Sequence, residues 1–423
     1  MTLTITPAKL SGAVTPPPSK SQTHRALIAA ALADGESVIS NVAYSQDIEA
    51  TLRCLKELGA EFARVGRDGH GAPGRETIRV TGMAANTMSP LRRTALPRLN
   101  CGESGSTLRF LIPIALAVRG GGVFTGQGRL MERPQQPYFD IFRQKGIFFE
   151  QKDGVLTVQG LLTPGEYALP GNVSSQFFTG LLYALPLLGG PSLLQPTTAL
   201  ESEGYIQMTL REMARFGVEL PVALSLPPQY HFEGNQTYTP AKVTVEADWS
   251  QAGFWYAARF LGGSIEILGL EQASHQGDRV VRDHFSALQA PGHLDIDVSG
   301  CPDLVPPLAA MAALRAGQTT RLTNAARLRI KESDRLCAVT AVLNALGGDV
   351  TEGEDFLTIR GRETLAGGVT VDSFRDHRIA MMTAILAARC EKPVTLTGAE
   401  AVAKSYPDFW EEYGRLGGVM KRM

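Results

Sequence analysis

A chain of 423 residues is long enough for two or three domains, each with a sizeable core. A net charge of −1 excludes a bulk nucleic-acid or membrane-surface binder, so any positive site has to be local. The N-terminal stretch MTLTITPAKLSG lacks a signal-peptide core, apolar runs such as 177–188 are too short for a bilayer, and five unpatterned cysteines (Cys54, Cys101, Cys301, Cys337, Cys390) read as reduced thiols of a cytoplasmic protein.

One unit recurs six times, and a repeat sets architecture before any single motif does. Each copy opens with a short polar segment that runs into an apolar helix, over 19–32, 104–118, 174–188, 248–261, 303–314 and 376–388. A Gly or Pro break and a short strand-like run follow, over 37–40, 123–125, 192–194, 264–268, 319–322 and 393–396. A second, amphipathic helix comes next, over 47–58, 136–145, 205–216, 278–288, 332–346 and 406–416, usually with a glycine stop such as Gly59 or Gly146. Further strands are expected at 155–158, 243–245 and 356–359. The stretch 84–99, with Arg92, Arg93 and Arg98, reads as an exposed loop.

Helices that are polar at one tip and apolar elsewhere should lie buried behind sheets, with the amphipathic helices in a more exposed layer. Three repeats could close one globe, so six make two, in an α/β (α+β) chain. The first globe is expected over 18–239 and the second over 1–17 plus 240–423. The chain crosses at Pro16-Pro17-Pro18 and near Pro240. The fourth repeat is short: only 289–300 separate its second helix from Asp303, too little for the usual strand pair.

Several helix starts carry the wrong charge. A helix N-terminus holds about half a positive charge and favours acidic neighbours by about 0.3–1 kcal/mol. Here Lys20 and Arg25, Arg109 and Arg378 stand in the opening turns, and Lys331-Glu332-Ser333-Asp334-Arg335 is expected to begin a helix with Lys331 and Arg335 on one face. Any one of these cations could simply be solvated. Together they call for bound phosphate or carboxylate, with Ser19, Ser21, Ser174 and Ser175 as caps or donors. Asp303, ahead of Leu304-Val305-Pro306-Pro307, reads either as an N-cap or as a proton acceptor among cations; Asp376 likewise reads as a cap. No nucleotide-triphosphate loop, zinc pair, calcium loop or serine nucleophile elbow is present, so neither metal nor cofactor is expected.

Pro18-Ser19-Lys20-Ser21-x-x-x-Arg25, Glu132-Arg133-Pro134, Val173-Ser174-Ser175-Gln176-Phe177, Lys331-Glu332-Ser333-Asp334-Arg335 and Asp376-His377-Arg378 resemble, in order, the signature segments of the 5-enolpyruvylshikimate-3-phosphate synthase family. The resemblance runs from about Leu10 to about Leu416, nearly the whole chain. It implies two globes of three βαβαββ-type repeats each, in the inside-out α/β barrel manner of enolpyruvyl transferases, closing over a central cleft. It implies transfer of the enolpyruvyl group of phosphoenolpyruvate to the 5-hydroxyl of shikimate 3-phosphate, without a cofactor, on the route to chorismate and the aromatic amino acids. A monomer is the expected state.

By motif, Lys20, Ser21, Arg25, Ser174, Ser175, Gln176, Ser202, Tyr205, Asp303 and Lys331 are implied to contact shikimate 3-phosphate. Lys20, Gly105, Arg133, Gln176, Arg335, Arg378 and Lys404 are implied to contact phosphoenolpyruvate. Asp303, Glu332 and Lys20 are implied to move protons. The second globe would supply Asp303, Lys331, Glu332, Arg335, Arg378 and Lys404.

The chain departs from the family segment Gly-Asn-Ala-Gly-Thr-Ala-x-Arg, reading Gly102-Glu103-Ser104-Gly105-Ser106-Thr107-Leu108-Arg109. Glu103 brings a negative charge toward an anion site, and Phe110 stands where proline is common. Gly105 implies sensitivity to glyphosate. Competing readings are the sister transferase acting on UDP-N-acetylglucosamine, an RNA 3′-phosphate cyclase, and a non-catalytic binder of phosphorylated metabolites. The Ser-Ser-Gln and Asp-His-Arg segments count against the first, the want of a basic RNA surface against the second, and the retention of Lys20, Asp303 and Glu332 against the third.

Overall fold

The computed structural model describes residues 1–66, 75–83, 95–220, 222–223 and 227–423. The chain divides into two compact units, residues 20–246 and residues 1–19 with 247–423. Residues 240–246 stay with the first unit because Lys242–Thr244 pairs in parallel with Glu36–Ala43. Of the expected loop at 84–99, residues 84–94 with Arg92 and Arg93 lie outside the described residues, and Arg98–Asn100 is a strand.

The first unit holds α1 (Lys20–Leu32), α2 (Gln46–Leu58), α3 (Gly105–Arg119), α4 (Gln136–Lys145), α5 (Ser175–Ala184) and α6 (Glu203–Arg215). Past their first residues α1, α3 and α5 offer almost nothing polar, and they are buried nearly throughout. By contrast α2 buries one stripe (Ile48, Thr51, Leu55, Leu58), is capped by Ser45, and is stopped by Gly59 at φ 112°, a conformation that costs a β-carbon residue dearly. The expected third opening helix ends early, at Ala184, because Pro186 cannot donate the next helical hydrogen bond; 185–187 is a 3₁₀ turn.

Three four-stranded sheets cover these helices, and all have one pattern. In the first, the order is Lys242–Thr244, Glu36–Ala43, Arg75–Thr81, Glu61–Gly66, the leading pair parallel and the rest antiparallel. The same holds for Arg98–Asn100, Gly121–Thr125, Val155–Gln159, Phe148–Lys152 and for Gly165–Leu169, Ser192–Pro196, Gln229–Phe232, Val222–Ala223. The logic is topological. In the second and third sheets the apolar helix supplies the crossover that a parallel pair needs, whereas in the first Lys242–Thr244 returns from the far end of the unit; in all three the amphipathic helix carries the chain to the far edge, and a hairpin fills the gap.

A buried polar chain ties α1, α2 and α3 together near their N-termini. His24 Nδ1 lies 2.8 Å from Thr51 Oγ1, Thr51 lies 2.7 Å from Thr107 Oγ1, and Thr107 donates over 2.7 Å to Ser104, the cap of α3. Burial, then Lys20 and Arg25, hold His24 well below its ordinary value of 6.5. Above that value both folded and unfolded chains carry a neutral imidazole. Below it the unfolded chain takes a proton that the folded one refuses. Stability should therefore fall by up to about 1.4 kcal/mol per pH unit as pH drops below 6.5. Chemical denaturation at stepped pH should show this slope in the wild type and a shallower one in His24→Gln, while His284, also lowered by burial, leaves a residue of it in both.

The second unit holds α7 (Trp249–Phe260), α8 (Val281–Gln289), α9 (Val305–Ala313), α10 (Arg335–Ala345), α11 (His377–Ala387) and α12 (Phe409–Arg415). Two four-stranded sheets repeat the pattern: Leu294–Asp297, Thr319–Thr323, Leu357–Arg360, Val350–Glu352, and Thr370–Asp372, Val394–Thr397, Leu3–Thr6, Val419–Arg422. In the second of these, the N-terminal strand supplies the third member. The fourth repeat has only the parallel pair Ser264–Ile267 and Ser11–Val14 among the described residues, because Leu294–Asp297 already belongs to the next sheet.

Two starts differ from expectation at the site. The helix expected from 332 begins at Arg335, because Asp334 accepts from Cys337 N at 3.1 Å and closes its N-terminus. Lys331 is therefore outside α10 and shares no helix face with Arg335. Asp303 lies inside a 3₁₀ turn, Pro302–Leu304, and does not cap α9 through its side chain.

Candidate functional site

On the first unit the polar tips of α1, α3 and α5 carry the sequence-derived residues. Lys20 is the first residue of α1, and its ammonium lies 2.6 Å from Asp47 near the start of α2. Ser174 caps α5, accepting from Gln176 N at 3.3 Å. Gln176 then bridges to α3: its amide donates to Ser106 Oγ over 3.0 Å and accepts from Arg109 over 3.0 Å. Gly105 opens α3 beneath this bridge. A β-carbon there would stand 2.8 Å from Arg133 Nη1 and 3.5 Å from Gln176 Oε1, so the missing side chain is what lets Arg133 and Gln176 close over the helix start.

Arg109 also donates to the Pro134 carbonyl over 3.1 Å and stacks on Phe177, and the Glu103 carboxylate rests beside Gly128. Arg25 is 2% exposed and donates to Thr209, the Ser21 carbonyl, Thr179 and the Tyr205 carbonyl. Phe110 supports it, with the guanidinium 5.2 Å from the ring centroid. Ser202, ahead of α6, has φ 56°, a strained setting for a residue with a side chain and one that clusters at functional sites. Tyr205 lies one turn further along α6.

On the second unit the cations meet the protein's own carboxylates. Arg335 is 1% exposed at its side chain and faces three of them: Nε to Asp376 at 2.8 Å, Nη1 to Asp303 at 2.8 Å and Nη2 to Glu332 at 2.6 Å. The other oxygen of Asp303 accepts from Arg378 at 3.0 Å, and Lys331 stands 3.7 Å from the first. Asp376 caps α11, accepting from Arg378 N at 2.9 Å while it holds Arg335. Three cations and three carboxylates make this cluster formally neutral. Burial alone would raise the Asp303 carboxyl, but Arg378, Lys331 and Arg335 outweigh it and hold it well below the ordinary carboxylate range. Burial lowers the Lys331 ammonium, against the pull of Asp303. Lys404 is buried and donates to the Arg375 carbonyl at 2.8 Å.

Sequence reasoning missed Asp47 altogether and took Asp376 for a cap alone. An acid near a helix start is so common that neither position carries a local signal. Among the described residues no His, Cys, Asp or Glu group is arranged to hold a metal ion, and no helix is long and apolar enough to cross a membrane.

Comparison with known proteins bears on the whole chain. The family model for EPSP synthase (3-phosphoshikimate 1-carboxyvinyltransferase) matches residues 5–413. The 3-phosphoshikimate 1-carboxyvinyltransferases of Clostridium kluyveri and Clostridium acetobutylicum are each 44% identical to it, covering 98% of this chain and 97% of their own. The mixed α/β fold matches solved structures: an EPSP synthase from Acinetobacter baumannii superposes with a TM-score of 0.77 at 24% identity over 99% of both chains. The enolpyruvyl transferase NikO from Streptomyces tendae superposes with 0.76 at 17% identity, over 100% of this chain and 98% of its own. The chain belongs to the EPSP synthase (3-phosphoshikimate 1-carboxyvinyltransferase) family.

Proposed function

We propose that the two sets of polar side chains described above serve one pair of substrates, and that Asp303 is the base of the reaction. The chain is a transferase of the shikimate pathway, moving the enolpyruvyl group of phosphoenolpyruvate to the 5-hydroxyl of shikimate 3-phosphate with release of phosphate. In this reading Lys20, Ser21, Arg25, Ser174, Ser175, Gln176, Ser202, Tyr205, Asp303 and Lys331 bind shikimate 3-phosphate. Lys20, Gly105, Arg133, Gln176, Arg335, Arg378 and Lys404 bind phosphoenolpyruvate, the arginines gripping carboxylate and phosphate two oxygens at a time. Arg25, whose guanidinium is already taken up by four protein acceptors, would act chiefly by fixing Ser21 and Tyr205.

The proton of the 5-hydroxyl passes to Asp303 as its oxygen attacks the substituted enol carbon. The methylene carbon takes a proton from Glu332 or Lys20, giving a tetrahedral adduct. Loss of that proton and cleavage of the carbon–oxygen bond to phosphate restore the double bond. Charge stays anionic throughout, so fixed donors and positioning supply much of the acceleration. The observation that carries this reading is Asp303 held between Arg335, Arg378 and Lys331, a carboxylate kept ionised beside groups suited to an anionic substrate.

The sheet pattern supports reading each unit as a globe of three βαβαββ-type repeats, of the inside-out barrel kind, with the fourth repeat pared to its parallel pair. The enzyme is taken as a cytoplasmic monomer. A phosphate-release assay tests the function: release should require both phosphoenolpyruvate and shikimate 3-phosphate. Release with UDP-N-acetylglucosamine in place of the shikimate ester would overturn it.

A further inference from the structure

We infer that Asp303 is the resident occupant of the arginine pair on the second unit, and that phosphoenolpyruvate binds by taking those arginines from it. The inference rests on the reading of Arg335 and Arg378 as ligands of phosphoenolpyruvate. Helix starts crowded with cations were expected to wait for an outside anion. The structure supplies an inside one: one oxygen of Asp303 lies 2.8 Å from Arg335 and the other 3.0 Å from Arg378, with Lys331 at 3.7 Å. A carboxylate shared between two guanidinium groups is how such a pair holds an anionic ligand.

Of the acids around Arg335, Asp303 is well suited to leave. Asp376 is completely buried, caps α11 and accepts from Ser333 as well. Asp303 sits on a single 3₁₀ turn with its side chain one-fifth exposed. When it leaves, Arg335 keeps Asp376 and Glu332, and Arg378 keeps the Asp303 carbonyl at 3.1 Å, so neither arginine is stranded.

Two consequences follow for selectivity and chemistry. A ligand with a single negative charge gains no more from the arginines than Asp303 already gives, whereas one with both a carboxylate and a phosphate does; Asp303 thus sets a threshold against small monoanions. The groups that face it are Lys331, Arg335, Arg378 and the like-charged Glu332, with Asp376 behind Arg335. Losing two of the three cations makes the carboxylate a stronger base, so arrival of one substrate readies the acceptor for the proton of the other.

Calorimetric titration of phosphoenolpyruvate alone into wild type and Asp303→Asn, each checked by thermal melting, tests the exchange. The variant should bind roughly tenfold tighter, and should also bind inorganic phosphate more tightly. Equal or weaker binding by the variant would overturn the inference. Arg335→Ala separates this from the underlying reading: if it binds phosphoenolpyruvate like wild type, the ligand assignment itself is wrong. Weakened binding by Arg335→Ala with no gain in Asp303→Asn removes only the exchange. Carbon-13 NMR of the wild-type Asp303 carboxyl gives a second readout. Its titration should move upward on saturation with phosphoenolpyruvate, and an unmoved titration overturns the inference whatever the variants do.

Discussion

Asp303→Ala should lose turnover by roughly 10²–10⁴-fold, the share a positioned general base supplies, while its melting temperature stays close to that of the wild type. The two halves of this expectation have one structural source. Asp303 lies between Arg335, Arg378 and Lys331, and each arginine keeps another acceptor when it is gone: Asp376 and Glu332 for Arg335, a main-chain carbonyl for Arg378. Asp303 is one-fifth exposed, so water can take its place, and a guanidinium that keeps an acceptor is spared most of the cost of an unpaired buried charge. Steady-state assay with both substrates saturating, beside a melting curve, checks both halves, and normal turnover in this variant would remove Asp303 from the mechanism.

Asp376→Ala is the opposite case and should lose stability first. Its carboxylate is completely buried, caps α11 through Arg378 N, accepts from Ser333 and lies 2.8 Å from Arg335 Nε, itself only 1% exposed. Removing one partner of a buried ion pair costs about 3–5 kcal/mol, and a lost cap adds about 1 kcal/mol. Because Glu332 and Asp303 remain on Arg335, the expected loss is about 3 kcal/mol, read from urea denaturation. Asp376→Asn, which can still cap, should recover the cap's share and no more. A variant as stable as the wild type would show that Arg335 does not depend on this anchor.

These two acids also mark where sequence reasoning stopped. The apolar helices were legible because almost every residue from Ala26 to Leu32, or from Leu108 to Leu116, is apolar, and such a segment has to be buried on all sides. The shortened fourth repeat was legible from chain length alone. Asp303 and Asp376 each precede an apolar run, where an acid reads as a cap. What separates them is a long-range contact, since Arg335 and Arg378 lie 32 and 75 residues beyond Asp303. Lys331 to Arg335 has the composition of a helix, and only the cap made by Asp334 shows that the helix starts late.

The charge argument left out the protein's own acids. Cations at helix starts do need an anion, but Asp47 already pairs with Lys20, and Asp303, Glu332 and Asp376 already pair with Arg335. Family resemblance assembled the proposed substrate residues; no local rule would have brought Gly105, Arg133 and Gln176 together.

The strand Leu3–Thr6 sits between Val394–Thr397 and Val419–Arg422. It is therefore made long before either of its neighbours. At about 5–20 residues per second, ribosomal synthesis leaves this edge waiting for tens of seconds or more, while residues 20–246 already have every strand they need. The alternating Thr2, Thr4 and Thr6 between Leu3 and Ile5 keep that waiting segment half polar, which suits a strand that must stay unpaired beside a growing chain.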